Sequence, residues 1–230
     1  FDDLLQPRAD TGKEISAYWQ QLSKLILATV DSLPLPIRSM QPISPAFRSA
    51  DLQPPTPHPS AVSGTPFEPT LSSTSPAARY PIKPLEVIVH LVQSSRWPDD
   101  VTAIRKVRSA FNCEIAAAVN KAHGLEAIPS EEHVDILFSG YVFRLIIHHQ
   151  REITLLENSG DVNTATALFH KQVELPLHAT HFTALRHANQ AFSPTVRLVY
   201  KWLEMHMCGP HVDVAFVEYI VGYVFVCHQP

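Results

Sequence analysis

The sequence predicts an α+β fold in which a mixed β-sheet with packed helices is followed by a segment that is helical throughout. Leu85–Val92 is a nearly unbroken apolar run rich in β-branched residues, which is typical of a buried strand. A helical apolar repeat follows from Ile104, and two alternating runs joined by Ser139-Gly140 predict a β-hairpin. Beyond Gly160 the apolar spacing is helical only.

The first predicted helix runs from about Lys13 to Ser32. Thr11-Gly12-Lys13-Glu14 has the form of a capping box, in which threonine and glutamate satisfy free backbone amides. The apolar stripe of this helix is Ile15, Trp19, Leu22, Ile26 and Val30. Several prolines follow in Leu33–Arg48. Because proline cannot donate to a central ladder, this segment predicts no more than an edge strand around Ile37–Ile43.

A change of composition marks residues 49–80. Proline, serine and threonine dominate there and no helical or strand period survives, so the segment cannot bury enough apolar surface to offset its ordering entropy. We expect a disordered insertion within a first domain of residues 1–160. A docking motif for a proline-recognising partner is the alternative to a solvated loop.

A long helix is predicted after Trp97-Pro98-Asp99-Asp100, because proline and carboxylates are favoured at a helix N-terminus. Its apolar stripe is Ile104, Val107, Phe111, Ile115, Ala118 and Ala122. Arg105, Lys106 and Arg108 are expected beside or opposite this stripe, and Gly124 is expected to end the helix. We expect Trp97 to anchor the helix to the sheet.

The hairpin strands alternate in the manner of half-buried strands. Val134, Ile136 and Phe138 alternate on the first strand, and Tyr141, Phe143, Leu145 and Ile147 alternate on the second. Arg151–Asn158 predicts a helical or extended tail, and Ser159-Gly160-Asp161 predicts a break.

A second domain of residues 161–230 is predicted to be helical. Leu177, Phe182, Leu185, Ala188 and Phe192 suit one helix, and Val196, Val199, Leu203 and Met207 suit the next. Ser193-Pro194 is expected to begin that second helix, and Asp213 to cap a last helix through Phe225. The last helix is apolar on almost every side and would need cover on every side. Since the chain also begins without methionine, we expect a fragment of a longer polypeptide.

The composition excludes several classes of protein. The formal net charge of −4 argues against a protein that binds nucleic acid over its whole surface, although a local basic patch is compatible with it. No apolar run reaches the roughly 20 residues of a membrane span, and the amino end lacks a signal-peptide pattern, so we expect no membrane partner. Three cysteines without framework spacing favour free thiols in a reducing compartment.

Two groups of histidine and cysteine residues are candidates for metal binding: His206, Cys208 and His211, and the helical set His178, His181 and His187. Zinc accepts the first set, but its spacing differs from the usual paired motifs and crosses Gly209-Pro210. Core or cap histidines and buried thiols are the favoured interpretation. The second set could bind a metal or a phosphate, or form a solvated helix face. We therefore predict no metal site.

A basic face is predicted on the helical segment. Its members are Arg186, His187, Arg197 and Lys201, and the last two are spaced i, i+4 on one side of a helix. Such a face could contact RNA phosphates or could be an ordinary solvated surface, and the residues favour neither reading.

Three segments are distinctive: Gln93–Asp100 (QSSRWPDD), Val134–Arg144 (VDILFSGYVFR) and Phe192–Leu203 (FSPTVRLVYKWL). They resemble the Nrap proteins, which are nucleolar RNA-associated components of the small-subunit processome. The resemblance implies a nucleotidyltransferase-like α+β domain followed by the start of a helical domain similar to those of poly(A) polymerases and oligoadenylate synthetases. The chain departs from the family pattern at Val92, where an acidic residue is usual, and at Tyr200, where a basic residue is usual. The second departure weakens an RNA-contact role for that helix face.

The resemblance raises the question of catalysis. Nucleotidyltransferases need a Gly-Ser turn and two carboxylates at i, i+2 on one strand to hold two magnesium ions, with a third carboxylate nearby. The apolar strand offers Glu86 alone, with Ile88 and His90 on the same face. The segment upstream of that strand has prolines where the Gly-Ser turn should lie. Asp135 could be a remnant of the third carboxylate.

We therefore expect a non-catalytic scaffold of ribosome biogenesis in the nucleus and nucleolus, with no catalytic residue, cofactor or small-molecule substrate. The expected partners are pre-ribosomal RNA and other processome proteins. An active or nucleotide-binding nucleotidyltransferase is the alternative.

Overall fold

The computed structural model of the protein describes residues 11–29, 35–58, 61, 82–92, 94 and 97–227. Within these ranges the strands are β1 Ile37–Pro42, β2 Leu85–Leu91, β3 Ala127–Pro129, β4 His133–Phe138 and β5 Tyr141–His148. The α-helices are α1 Thr11–Ala28, α2 Val101–His123, α3 Gln150–Ser159, α4 Val162–Phe169, α5 Leu175–Ala188, α6 Phe192–Met205 and α7 Val214–Cys227. Shorter helical turns are the 3₁₀ turns Pro45–Arg48 and Gly209–His211 and the π turn His170–Glu174.

The strands form one mixed sheet in the order β1-β2-β5-β4-β3. The β2–β5 pair is parallel, and the other pairs in the sheet are antiparallel. This arrangement confirms the predicted α+β fold, the buried strand and the edge position of β1. Among the described helices, none is long and apolar enough to cross a membrane.

Backbone contacts group the described chain into two compact units. We call residues 18–42 and 55–173 the sheet unit, and residues 11–17, 43–54 and 174–227 the helical unit. The limits of the units differ from the expected domain limit at residue 160, and that limit stays a prediction because a contact unit and a family domain need not coincide.

The hairpin and the first helix follow the predicted patterns. Ser139 and Gly140 have φ angles of 51° and 85°, as a tight two-residue hairpin turn requires. In α1 the buried residues of the predicted stripe are Ile15, Trp19, Leu22 and Ile26, whereas Val30 lies outside the described residues. Trp19 packs on Phe143 of β5, with ring centroids 5.8 Å apart.

The apolar stripe predicted for α2 is displaced. The buried residues are Ile104, Arg108, Asn112, Ile115, Ala116 and Val119, whereas Ala122 is exposed. Arg108 was expected outside the stripe, but it is only 6% exposed because it forms an ion pair with Glu152 of α3. Asp100 caps the helix by accepting a hydrogen bond from the amide of Ala103 at 2.8 Å, and Gly124 ends it with a φ of 64°.

The first residues of the predicted insertion are described, and some of them are buried. Ala50 and Asp51 are buried, with exposed fractions of 1% and 7%, and His58 donates its amide hydrogen to the carbonyl of Gly140 at 2.8 Å. The expectation of disorder is therefore wrong for residues 49–58. Residues 59, 60 and 62–80 lie outside the described residues.

The helical unit has its own apolar core. The buried members are Ala50, Phe182, Phe192, Val196, Val217 and Val221. Three stripe assignments are wrong: Leu177 is 58% exposed, Ala188 is exposed, and Met207 is 85% exposed in a left-handed conformation. Phe192 begins α6 rather than ending α5, and Ser193 donates to the Arg48 carbonyl instead of capping the helix.

Helix α7 buries little of its apolar surface. Its buried residues are Ala215, Val217, Glu218, Val221 and Gly222. Its exposed large apolar residues are Phe216, Tyr219, Ile220, Tyr223, Val224 and Val226. Tyr219 and Tyr223 border an apolar groove of about 540 Å³ between α5 and α7.

Candidate functional site

Charged and histidine side chains occupy one face of the sheet at its centre. In the strand register, Glu86 of β2 lies opposite Arg144 of β5, and Arg144 lies opposite Asp135 of β4. Because directly opposite residues project from the same face of a sheet, the three form one row across three adjacent strands. We call these residues, together with Lys171, the charged row.

Each carboxylate of the charged row has a cationic partner. Arg144 donates from Nε to Oδ1 of Asp135 at 2.8 Å and from Nη2 to Oδ2 at 2.7 Å, which is the strong bidentate geometry. The hydrogen bond to Asp135 raises the pKa of Arg144 above its ordinary value; burial opposes this shift, and the charges of Asp135 and Glu86 add to it. Lys171 Nζ donates to Glu86 Oε1 at 2.9 Å. The row therefore alternates in charge and is internally neutralised.

The π turn after α4 delivers two side chains to this face. A π turn holds one more residue than an α-helical turn, and such turns are frequent at functional sites. Lys171 of this turn bonds Glu86, and the buried Gln172 bonds His148 through Oε1 and Nδ1 at 2.9 Å. Since an amide oxygen can only accept, the His148 ring carries a proton on Nδ1. Gln172 thus orients the imidazole.

A histidine pair lies beside the charged row. His90 and His148 are opposite each other on the parallel strands β2 and β5, and their ring centroids are 5.0 Å apart. Burial lowers the pKa of His90, and the nearby His148 and Arg38 lower it further. Burial also lowers the pKa of His148, against the opposing effects of Gln172 and Glu152. Both shifts favour the neutral form of the two rings.

This face lacks the carboxylate pair that two-metal chemistry requires. The alternate residues on it are Glu86, Ile88 and His90 on β2, and His133, Asp135 and Leu137 on β4. Neither strand offers two carboxylates at i, i+2, and Arg144 lies between the two that exist. A divalent cation placed there would face a guanidinium at short range. In the described parts of the chain, no three His, Cys, Asp or Glu side chains are grouped so that they could hold a metal ion.

The predicted basic face is only partly assembled. Arg186 Nη1 donates to the Phe47 carbonyl at 2.8 Å, and Arg197 Nη1 donates to the Ser49 carbonyl at 3.3 Å. Burial lowers the pKa of Arg197, and the charge of the neighbouring Arg186 lowers it further. Lys201 forms a half-exposed ion pair with Glu204 at 3.2 Å. The two arginines are thus close together but bind backbone carbonyls, and an RNA-contact role stays a prediction for all three residues.

The candidate metal ligands have other surroundings. His206 hydrogen-bonds the Trp202 carbonyl at 2.8 Å through Nδ1, and its ring packs at a tilt against the Trp202 indole, with centroids 4.3 Å apart. The thiols of Cys113, Cys208 and Cys227 are exposed, so the expectation of buried thiols is wrong.

The second set of histidines is divided between the interior and the surface. His181 and His187 are exposed, whereas His178 is 3% exposed and lies 2.7 Å from Glu218. Sequence reasoning missed Glu218. The sequence did contain a signal. Within α7, Glu218 is the one residue among Asp, Glu, Lys, Arg and His, and a charge in such an apolar helix needs a partner.

Two family models match the chain. The model described as Nrap protein nucleotidyltransferase domain 4 matches residues 3–195, and the model described as Nrap protein PAP/OAS1-like domain 5 matches residues 189–230. The chain belongs to the Nrap family. The first match includes the whole sheet with its charged row, and the second match includes helices α6 and α7.

Relatives from vertebrates match almost the whole chain. A Homo sapiens protein named Nucleolar protein 6 is 28% identical over 247 aligned residues, which cover 98% of this chain and 21% of the human protein. The Mus musculus protein of that name is 27% identical, with coverage of 100% and 22%, and the Xenopus tropicalis protein is 26% identical, with coverage of 92% and 20%. The chain therefore spans about a fifth of the length of these relatives.

Membership of the Nrap family accounts for the fold, and the charged row lies within the matched nucleotidyltransferase domain. One fold can carry many activities, so a domain named after nucleotidyltransferases need not transfer nucleotides. What the face can do depends on its own side chains, and in this Nrap chain they are carboxylates paired with cations and a pair of imidazoles whose pKa values are lowered by burial.

Proposed function

We propose that this chain is a non-catalytic part of a nucleolar protein that acts in ribosome biogenesis. It serves as a scaffold whose surfaces contact pre-ribosomal RNA and neighbouring proteins of the small-subunit processome, and it resides in the nucleus and nucleolus. Membership of the Nrap family and the name Nucleolar protein 6 carried by its relatives support the cellular setting. The charged row supports the absence of catalysis.

The observation that carries the proposal is the position of Arg144. Two-metal nucleotidyl transfer requires carboxylates that are free to coordinate cations. In the charged row Arg144 binds both oxygens of Asp135, and Lys171 binds Glu86. The cations occupy the carboxylate oxygens that a metal ion would need and would repel that ion at short range, so these carboxylates are poor metal ligands.

Catalysis is tested by incubating the purified chain with an RNA primer, ribonucleoside triphosphates and either Mg²⁺ or Mn²⁺. We expect no primer extension. Extension by the wild-type chain that Asp135→Ala abolishes would overturn the proposal. Calorimetric titration with ATP and Mg²⁺ tests the alternative of a nucleotide-binding domain, and we expect no saturable heat.

The scaffold role is tested by crosslinking in cells that express the full-length polypeptide containing this chain. We expect to recover both pre-ribosomal RNA and processome proteins from nucleoli. Lys201→Ala is the cleanest test of the basic face. Within the described residues Lys201 forms one ion pair, with Glu204 three positions along α6, whereas Arg186 and Arg197 hydrogen-bond backbone carbonyls. Lys106→Ala, at an exposed position of the sheet unit, is the matched control. Equal RNA recovery from both variants would remove Lys201 from the RNA interface.

A further inference from the structure

A short turn of the chain is enclosed by the helical unit in the manner of a bound peptide. The turn comprises residues 45–50, with a 3₁₀ segment at Pro45–Arg48 and Ser49 in the left-handed region at a φ of 55°. The side chains of Ala46, Phe47, Arg48 and Ala50 are buried. We call this segment the arginine turn.

The side chain of Arg48 enters a pocket that suits a guanidinium group. Nε donates to Oε1 of Glu218 and Nη2 donates to Oε2, each at 2.8 Å, while Nη1 donates to the Ile43 carbonyl at 3.2 Å. His178 Nε2 lies 2.7 Å from the same carboxylate. The exposed fractions of the Arg48, Glu218 and His178 side chains are 2%, 0% and 2%. The pocket therefore matches the planar fork of arginine, and a lysine ammonium could not reproduce both parallel bonds.

The backbone of the arginine turn is bound as fully as its side chain. Its carbonyls at positions 47, 48 and 49 accept hydrogen bonds from Arg186 Nη1 at 2.8 Å, Ser193 Oγ at 2.7 Å and Arg197 Nη1 at 3.3 Å, respectively. Helices α5 and α6 therefore supply one donor to each of three successive carbonyls. Recognition of main-chain and side-chain groups together is how proteins bind peptide segments specifically.

Helix α1 completes the enclosure from within the same unit. A β-carbon on Gly12 would lie 2.0 Å from Ser49 Oγ and 3.2 Å from the Ala46 carbonyl oxygen, so a larger residue there would force the Ser49 side chain to move. Ser16 Oγ lies 3.4 Å from the Phe47 carbonyl oxygen.

We propose that helices α5–α7 form a recognition site for an arginine presented on a tight turn, which this chain fills in cis with its own residues 45–50. Glu218 is the specificity-determining residue, because its carboxylate accepts two parallel hydrogen bonds from the guanidinium. The backbone carbonyls of the turn accept hydrogen bonds from Arg186, Ser193 and Arg197. This role also gives a structural function to two of the three arginine and lysine residues that the sequence marks as a basic face.

The pocket is tested in the full chain by removing the Arg48 side chain and supplying a guanidinium compound in solution. Arg48→Ala removes the guanidinium from the buried Glu218 and leaves His178 as its neighbour. We expect amide hydrogen exchange within residues 45–50 and 214–222 to accelerate at least roughly 100-fold. Ethylguanidinium chloride should restore protection of both segments and raise the melting temperature of this variant. Ethylammonium chloride at equal ionic strength, which has the charge without the fork, should do neither.

The controls separate recognition from packing. Ethylguanidinium should not protect the double variant Arg48→Ala/Glu218→Gln, and Arg144→Ala, which removes a half-exposed arginine of the sheet unit, should leave exchange of residues 45–50 unchanged. Equal rescue by both salts, or no rescue of Arg48→Ala by ethylguanidinium, would overturn the proposal. Should Arg48→Ala fail to fold, Arg48→Lys decides: we expect at least about tenfold faster exchange in residues 45–50, and wild-type protection would refute guanidinium recognition.

Discussion

Two bidentate arginine–carboxylate pairs in this chain have nearly the same bond lengths and very different surroundings. Arg144 and Asp135 lie on the open face of the sheet, with side-chain exposures of 28% and 19%. Arg48 and Glu218 lie inside the helical unit, with exposures of 2% and 0%. Geometry alone therefore does not decide what an ion pair contributes, because the cost of leaving one charge unpaired rises steeply with burial.

The two pairs also differ in the sequence separation of their partners. Asp135 and Arg144 are nine residues apart on adjacent strands of one hairpin, so their pairing follows from the register of that hairpin. Arg48 and Glu218 are 170 residues apart. The first pair neutralises a surface that the hairpin would form without it, whereas the second joins distant segments of the chain into one core.

The largest expected effect distinguishes these two roles directly. Arg48→Met removes the counter-charge of a fully buried carboxylate, and we expect the free energy of unfolding to fall by about 3–5 kcal/mol. The matched variant Arg144→Met leaves Asp135 in contact with water, and we expect a loss below about 1 kcal/mol. Urea denaturation followed by circular dichroism measures both. Equal losses would show that burial does not separate the pairs.

A comparable loss is expected from an apolar contact of the sheet unit. Trp97 is 8% exposed and lies against Phe111 of α2 and His149, with ring centroids 5.6 Å and 4.1 Å away. Trp97→Ala should lower the free energy of unfolding by about 3–5 kcal/mol, since it removes a buried aromatic ring. The control is Trp202→Ala, at a site that is 57% exposed, where we expect a change within about 0.5 kcal/mol. A similar small effect at Trp97 would mean that packing there does not hold α2.

An intermediate loss is expected where a buried carboxylate has a second arginine. Glu152 is 1% exposed and binds both the buried Arg108 and Arg105, whose side chain is 49% exposed, whereas the second partner of Glu218 is a histidine. Arg108→Met leaves the Arg105 bond at 3.0 Å in place, so we expect a loss of about 1–3 kcal/mol. The additional change Arg105→Met should then cost more in this background than in the wild-type chain, as a double-mutant cycle would reveal. Strict additivity would exclude shared pairing.

The spacing of apolar residues along the sequence predicted the helices and strands whose buried face consists of apolar residues. The buried run of β2, the alternation in the hairpin and the stripe of α1 all depend on period, and period is visible in the residues themselves. The stripe of α2 was displaced because Arg108 and Asn112 are buried through partners elsewhere: Glu152 for the arginine, and the carbonyls of Ser130 and Glu131 for the asparagine. Tertiary pairing of this kind reverses the usual rule that charged residues face solvent.

The candidate sites show the same division. Glu86 and Asp135 could be identified from their strand positions, and the lack of a carboxylate pair followed from the i, i+2 pattern. The partners Arg144 and Lys171 could not be assigned, because pairing depends on strand order and on a π turn that has no sequence signature. In α7, Glu218 interrupts an apolar helix and so required a partner, but nothing in the local sequence identifies Arg48 as that partner.

The smallest expected effect is an ordered loss of stability on acidification. Burial lowers the pKa of His90 and His148 below the ordinary value of 6.5, so these rings bind protons more readily in the unfolded chain. Their contribution to stability is complete above pH 6.5 and is lost as the pH falls toward their folded pKa values. Burial alone would raise the pKa of Glu218, but hydrogen bonds from Arg48 and His178 lower it below the ordinary 4.5. Its contribution is therefore present above pH 4.5 and is lost only as the pH falls through that lower value.

The two regions should consequently weaken in sequence as the pH is lowered from 7 to 4. Hydrogen exchange, corrected for the intrinsic pH dependence of the amides, should show β2 and β5 losing protection first, while residues 214–222 keep theirs until more acidic pH. The double variant His90→Gln/His148→Gln should flatten the response of β2 and β5 between pH 7 and 5, because neither glutamine titrates. If residues 214–222 lose protection before the strands do, the carboxylate in the helical pocket is not held in its charged form by Arg48, and the contrast between the two ion pairs fails.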